Sequence, residues 1–217
     1  MRSVPVVSTK QDMPSPKQAR AVVTRQKIVD AAVACLTDHG YAGSSTTAIA
    51  RRAGVSQGSI FKHFPAKPML LAVVTDQVFV GMRQRFVQEV LARTAPGREM
   101  TVGLEILWEI YTDPQLHGVF ELYLATRTDE VLREALEPVV TAHFTAILHI
   151  ASRLFPEAAG TAQFEQAVMS LMLSLQGAAM MIGMAPDGHD GRLPLEFIGQ
   201  FAAVALGAPD PNALRDL

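Results

Sequence analysis

Apolar and polar residues along this 217-residue chain alternate at helical spacing almost throughout, and no stretch shows the two-residue period of a strand. Ile28, Ala32 and Leu36 mark one face of a first helix that runs to about His39, where Gly40 offers a left-handed cap. Two short helices fit between Thr46 and Phe64. Leu71, Val74, Val78, Met82, Phe86 and Val90 then predict a long amphipathic helix from about Lys67 to Arg93, stopped by Pro96 and Gly97. At 1.5 Å per residue this rod spans roughly 35–40 Å, enough to join two parts of a molecule and carry a displacement between them. Further helices are predicted near 98–112, 115–126, 128–155, 161–184 and 194–206. The breaks fall at Asp113-Pro114, at Thr128-Asp129, from Pro156 to Gly160 and from Pro186 to Gly191. Pro138 lies inside the 128–155 segment and predicts a kink or break, because its ring removes a helical hydrogen bond. The fold class read from this pattern is all-α.

The stretch TTAIARRAGVSQGSIFKHF, Thr46 to Phe64, meets the steric demands of a helix-turn-helix. Ala50 is small where two helices would touch, Gly54 suits a turn that needs positive φ or has no room for a Cβ, and Ile60 pins the second helix to the first. Ser56 can cap the second helix. Ile60 and Phe64 share its buried face, which leaves Gly58 and Lys62 opposite, flanked by Ser59 and Phe61. Gln57 and Ser59 near the N-terminus have the chemistry to read base edges, Lys62 suits phosphate, and Phe61 could touch a thymine methyl. Taken singly each could be an ordinary solvated residue; together, on one face after a glycine turn, they favour DNA contact.

With RQKIVDAA before this motif and PAKPMLL after it, the run from Thr24 to Leu70 resembles the DNA-binding domain of the TetR family of transcriptional regulators. The resemblance implies an N-terminal three-helix DNA-binding domain over 21–66, preceded by a flexible arm at 1–20 and followed by a helical effector-binding and dimerisation domain over 67–217. It implies that Thr46 and Thr47 open the second helix against a phosphate, that Gln57, Gly58, Ser59, Phe61, Lys62 and His63 form the recognition element, and that Lys67 reaches a phosphate. Phe61 stands where the family commonly carries Tyr, and Pro68 replaces a residue that is often acidic. The implied function is a homodimeric repressor that leaves a palindromic operator when a small apolar effector binds. A helical small-molecule-binding protein with lost DNA binding is the alternative.

Charge divides the chain the same way. Residues 1–70 hold 10 Lys+Arg against 3 Asp+Glu, a net of +7, and the rest hold 9 against 18, a net of −9. A basic head suits a polyanion. Arg2, Lys10, Lys17 and Arg20 in the Pro- and Ser-rich arm could follow a minor groove, though a solvated tail explains them equally. An apolar content of 49% suits an internal pocket plus a subunit interface. No run approaches the ~18 apolar residues of a membrane span, and the start has no apolar signal core. The single cysteine, Cys35, excludes an internal disulfide, fits a cytoplasmic setting and reads as packing.

Large side chains gather in the segment 104–127. Trp108, Tyr111, Phe120, Tyr123 and Leu124, with Arg127 as an anion partner, are candidate effector contacts, and Phe86, Phe144, Met169, Met172 and Gln176 are further walls. Core packing explains any one of them as well. Phe164, Val168, Leu171, Leu175 and Ile182 (with Ala178) form a stripe which, together with Phe197, Ile198 and Phe201 (and Leu195 and Val204), predicts a dimer interface of four antiparallel helices, with Gly177 and Gly183 permitting close approach. The same stripe would also serve as internal core. The six histidines, 39, 63, 117, 143, 149 and 189, make no metal pattern. No nucleophile spacing or phosphate loop appears, and Glu105 and Glu109 share a face that reads as a solvated edge. No enzyme, metal or cofactor is expected.

Overall fold

The structure is a computed structural model and describes residues 16–182 and 193–215. Among these every regular element is helical. α1 (Pro16–Gly43) is followed by α2 (Thr46–Ala53), α3 (Gln57–His63), α4 (Lys67–Arg93), α5 (Glu99–Tyr111) and α6 (Pro114–Ala125). α7 (Glu130–Leu154), α8 (Phe164–Met181), α9 (Leu193–Leu206) and a 3-10 turn (Pro211–Leu214) complete the chain. The basic residues Arg2 and Lys10, the side chain of Lys17, Gly183 and the break from Pro186 to Gly191 lie outside the described residues.

The breaks read from the sequence act as caps. The Asp113 carboxylate accepts from the Gln115 N–H at the start of α6, with Pro114 in its first turn, and Asp129 accepts from the Leu132 N–H at the start of α7. Two expectations change. α1 already begins at Pro16, so the arm ends before residue 20; Lys17 to Arg20 contain no proline or glycine to prevent helix. α7 also runs unbroken past Pro138. The hydrogen bond lost there is one among many in a 25-residue helix whose other face is packed. At Gly40 (φ 64°, ψ −173°) α1 leaves helical geometry with a positive φ, but as a kink before Gly43 and not as the left-handed cap the pattern predicts.

Burial sorts the apolar residues into two cores. The first sits under the helix-turn-helix and holds Ile28, Leu36, Ile49, Ile60, Phe64 and Leu71. It is closed by Leu122 of α6 and by Leu132 and Leu136 of α7, residues from the far side of the predicted boundary at 66/67. The second fills the body and includes Phe79, Ile106, Trp108, Leu154 and Leu175. α4 belongs to both, with Leu70, Leu71 and Val74 in the first and Val78, Phe79 and Val90 in the second.

Head and body are further joined where α1 crosses α6. A Cβ at Gly118 would come within 2.7 Å of Leu36 Cγ, so only glycine permits this approach. Nearby the Tyr41 N–H donates to Glu121 Oε2 at 2.6 Å.

Candidate functional site

α2 and α3 are short and depend on their caps. Ser45 Oγ accepts from the Ala48 N–H at 3.1 Å and Ser56 Oγ from the Ser59 N–H at 3.1 Å. Between them Gly54 adopts φ 66°, ψ 34°, and its N–H turns back to the carbonyls of Ala50 and Arg51. A Cβ there would meet nothing within 4 Å, so the glycine is required by its left-handed backbone and not by crowding. Ala50 and Ile60 are buried between the helices, as their spacing predicted.

The nine residues expected at DNA lie on or beside this pair of helices. Thr47, Gln57, Gly58, Phe61 and Lys62 are exposed, while Thr46, Ser59, His63 and Lys67 are partly covered. Gln57 Nε2 donates to Thr47 Oγ1 at 2.7 Å and to Thr46 Oγ1 at 3.2 Å, tying the start of α3 to the start of α2. Phe61 leaves 47% of its surface in solvent on a seven-residue helix. Nothing inside the chain requires Gly58 to be glycine, since a Cβ there would find only Ser56 Oγ at 3.9 Å. Lys67 does not extend outward. Its Nζ stands 4.2 Å from the centre of the Tyr41 ring, and burial lowers its pKa against the opposing pull of Asp129.

In the body a cavity of about 90 Å³ lies among α4, α5, α7 and α8, with apolar walls throughout. Met82, Arg83 and Phe86 come from α4, Leu107, Ile110 and Tyr111 from α5, Ile147 and Ile150 from α7, and Val168, Leu171 and Met172 from α8. Of the expected effector contacts it gathers Phe86, Tyr111 and Met172. Phe120 stacks behind Tyr111 with ring centres 6.3 Å apart and Tyr123 lies tilted against Phe120 at 6.4 Å, and burial raises the pKa of both tyrosines. Trp108 faces a separate groove with Leu195 and Gly199 of α9. Leu124 and Arg127 face solvent, and Phe144, Met169 and Gln176 are partly covered outside the cavity wall. The aromatic cluster marked a core with the cavity at its edge, because an apolar wall and an apolar core have the same composition.

The expected interface divides too. Phe164, Val168, Leu171 and Leu175 are buried within the chain itself, and two of them line the cavity. Ile182 is partly covered and Ile198 is buried, whereas Phe197 and Phe201 are exposed. The apolar surface of α8 is instead Leu173, Met180 and Met181, which with exposed Gly177 recur at helical spacing. A subunit interface and a core leave the same periodic signature, so the more apolar face of α8 turned inward. Glu105 and Glu109 are not merely solvated: Arg93 Nη1 meets Glu109 at 2.8 Å and its Nη2 stands 3.9 Å from Glu105, linking α4 to α5.

Neither Arg83 nor His143 is among the effector contacts expected from the pattern. His143 is buried, stacks on Phe79 with centroids 3.7 Å apart and lies with Nδ1 2.7 Å from Arg83 Nη1. Burial, aided by the Arg83 charge, pushes its pKa down to about 3. Since guanidinium only donates, the neutral ring accepts at Nδ1 and carries its proton on Nε2. One polar residue on an otherwise apolar face of a predicted helix was the available signal.

A profile of the bacterial regulatory proteins of the TetR family matches residues 28–74, the span of the helix-turn-helix and its supporting core. Along most of its length the chain is similar to an uncharacterised HTH-type transcriptional regulator of Mycobacterium tuberculosis, 28% identical over 186 residues that cover 82% of this chain and 93% of that one. It is 30% identical over 122 residues to the HTH-type transcriptional regulator CymR of Pseudomonas putida, covering 56% of this chain and 60% of that one. The fold matches a TetR-family regulator from Rhodococcus sp. (TM-score 0.66, 16% identity, 84% of this chain and 98% of that one). It also matches the multidrug binding protein EbrR complexed with imidazole (TM-score 0.61, 22% identity, 82% and 93%). Residues 28–74 thus match, in sequence and in helix-turn-helix geometry, the DNA-binding domain of the TetR family of transcriptional regulators, which are DNA-binding proteins and not enzymes, and the all-helical body shares the architecture of the solved structures.

Proposed function

We propose that this protein is a cytoplasmic, dimeric repressor that holds a palindromic operator and releases it when a small, mainly apolar molecule enters the cavity of the body. The observation that carries this reading is the double membership of α4. Leu70, Leu71 and Val74 anchor its first half in the core beneath the recognition helix, while Met82, Arg83 and Phe86 of its second half wall the cavity. At about 90 Å³ the cavity is smaller than the ~150 Å³ that admits benzene in an engineered core. A larger guest must part the walls, and α4 is the wall that leads to the head. The effector then favours a state with displaced heads, because it binds that state more tightly.

Operator contact is assigned to Thr46, Thr47, Gln57, Gly58, Ser59, Phe61, Lys62 and His63, and to Lys67 if it leaves Tyr41. The second copy is assigned to the exposed row of α8 and to Phe197, Phe201 and Val204 of α9. Phe201 and Val204 border a groove with Gln166 and Ser170 of α8, which precede Leu173 and Gly177 at helical spacing. A relative named as the repressor AcnR of Corynebacterium glutamicum, 29% identical over 99 residues that cover 42% of this chain and 53% of that one, supports repression over activation.

Selection of bound duplexes from a random library tests the reading, with Lys62→Ala run beside the native chain. Enrichment of an inverted repeat by the native chain supports it, with Lys62→Ala weakened on every sequence and its salt slope lowered by about one. Failure to enrich any sequence at low salt would favour a small-molecule-binding protein that no longer reads DNA.

A further inference from the structure

We infer that the effector is an apolar chain or ring ending in a carboxylate, with its tail in the inner cavity and its carboxylate on the guanidinium of Arg83. This rests on the reading of that cavity as the effector site.

Arg83 stands at a junction. It lines the apolar cavity and also an outer groove of about 490 Å³ beside Gln84, Val87, Gln88 and His149. Ile150 lines both spaces as well, so Arg83 and Ile150 stand where the cavity and the groove meet. The cavity walls are apolar, which means that Arg83 contributes its methylene stem there while its head group turns to His143. That head group is partly withdrawn from water, and burial is the main influence lowering its pKa.

A withdrawn cation is normally matched by an anion. Among the described residues no carboxylate lies within ion-pair distance of Arg83, although Arg52, Arg85, Arg93, Arg98 and Arg133 all have one. Asp76, seven residues back on α4, acts on it only at a distance. Its one close partner, His143, is kept neutral and accepts a single hydrogen bond. A guanidinium has five N–H donors in a planar fork, so most of its capacity is open to a planar, bidentate acceptor. A carboxylate matches that fork, and an apolar tail of the same molecule would continue past Ile150 into the cavity. Such a ligand also has a mechanical consequence: its head group grips α4 while its tail spreads the walls α4 leans on.

The test uses the full-length protein and matched pairs of straight-chain carboxylates and primary alcohols from six to twelve carbons, below their micellar concentrations. Binding is read from Trp108 fluorescence and from the shift in Tm. The native chain should bind the carboxylate roughly ten-fold or more tightly than the alcohol of equal length. Arg83→Gln should erase that preference while keeping alcohol binding, and Arg83→Lys should retain part of it. Equal binding of acid and alcohol by the native chain overturns the inference and leaves the cavity as an effector site. A preference that survives Arg83→Gln overturns Arg83 as the anchor. Binding of neither series removes the cavity reading itself, and the inference with it. Alcohol binding by Arg83→Gln is the control for its folding; if that variant fails to fold, the acid-to-alcohol ratio of the native chain and of Arg83→Lys decides.

Discussion

Gly54 and Gly58 stand four residues apart for different reasons. Gly54 sits at φ 66° with open space around its missing Cβ. Gly54→Ala should therefore cost about 1 kcal/mol, the strain of a left-handed L-residue, and a urea midpoint near that of the native chain would show that the turn relaxes. Gly58 has ordinary helical surroundings, so Gly58→Ala should raise stability by about 0.5–1 kcal/mol. If the backbone approaches a groove edge, as the proposed contact requires, the same change should weaken operator binding several-fold. Unchanged affinity would mean that the space above Gly58 stays empty on DNA. His143 offers a third residue-scale test. Its pKa is about 3 when folded and returns to about 6.5 on unfolding. Below pH 6.5 the unfolded chain takes up a proton that the folded chain refuses, so this contribution is complete above 6.5 and is lost as pH falls towards 3. Between pH 7.5 and 5.5 the native chain should lose about 1 kcal/mol more than His143→Gln. Equal losses would show a folded His143 that titrates normally.

At the scale of elements, sequence pattern located the helices better than it assigned their faces. α4 spans Lys67–Arg93 as its pattern predicts, because Pro68 opens it and Pro96 with Gly97 follows closely. The caps Asp113 and Asp129 were visible as breaks. Faces failed where two apolar destinations compete. Val168 and Leu171 looked like interface and proved to wall a cavity, and period alone carries no information about which apolar partner a stripe meets. Leu175→Glu, with the side chain fully buried, should unfold the body and not merely separate subunits. Val204 is 90% exposed. Val204→Glu should therefore leave the helical signal intact and shift sedimentation from dimer to monomer; a persistent dimer would exclude this surface as the interface.

For the whole molecule, the division into basic head and acidic body was legible in the charge counts, and the helix-turn-helix in its steric residues. The joint between them was not. Gly118 carries no sequence signal, yet it sets the distance between α1 and α6, and Gly118→Ala should destabilise the protein by about 1–3 kcal/mol by pressing on buried Leu36. Thermal melts would register it; a native Tm would mean that α1 shifts freely on the body. Arg83 escaped for a related reason. Its meaning comes from what lies beyond hydrogen-bond reach in three dimensions, which no one-dimensional spacing reports.

The core beneath the recognition helix is closed by Leu122, Leu132 and Leu136. During synthesis the residues of the reading head leave the ribosome first, yet the leucines that seal them arrive only when the start of α7 has been made. The nascent head therefore waits, incompletely packed, through the translation of two further helices. The helix-turn-helix is thus sealed late, in a chain whose α4 and α5 walls of the body cavity have already been made.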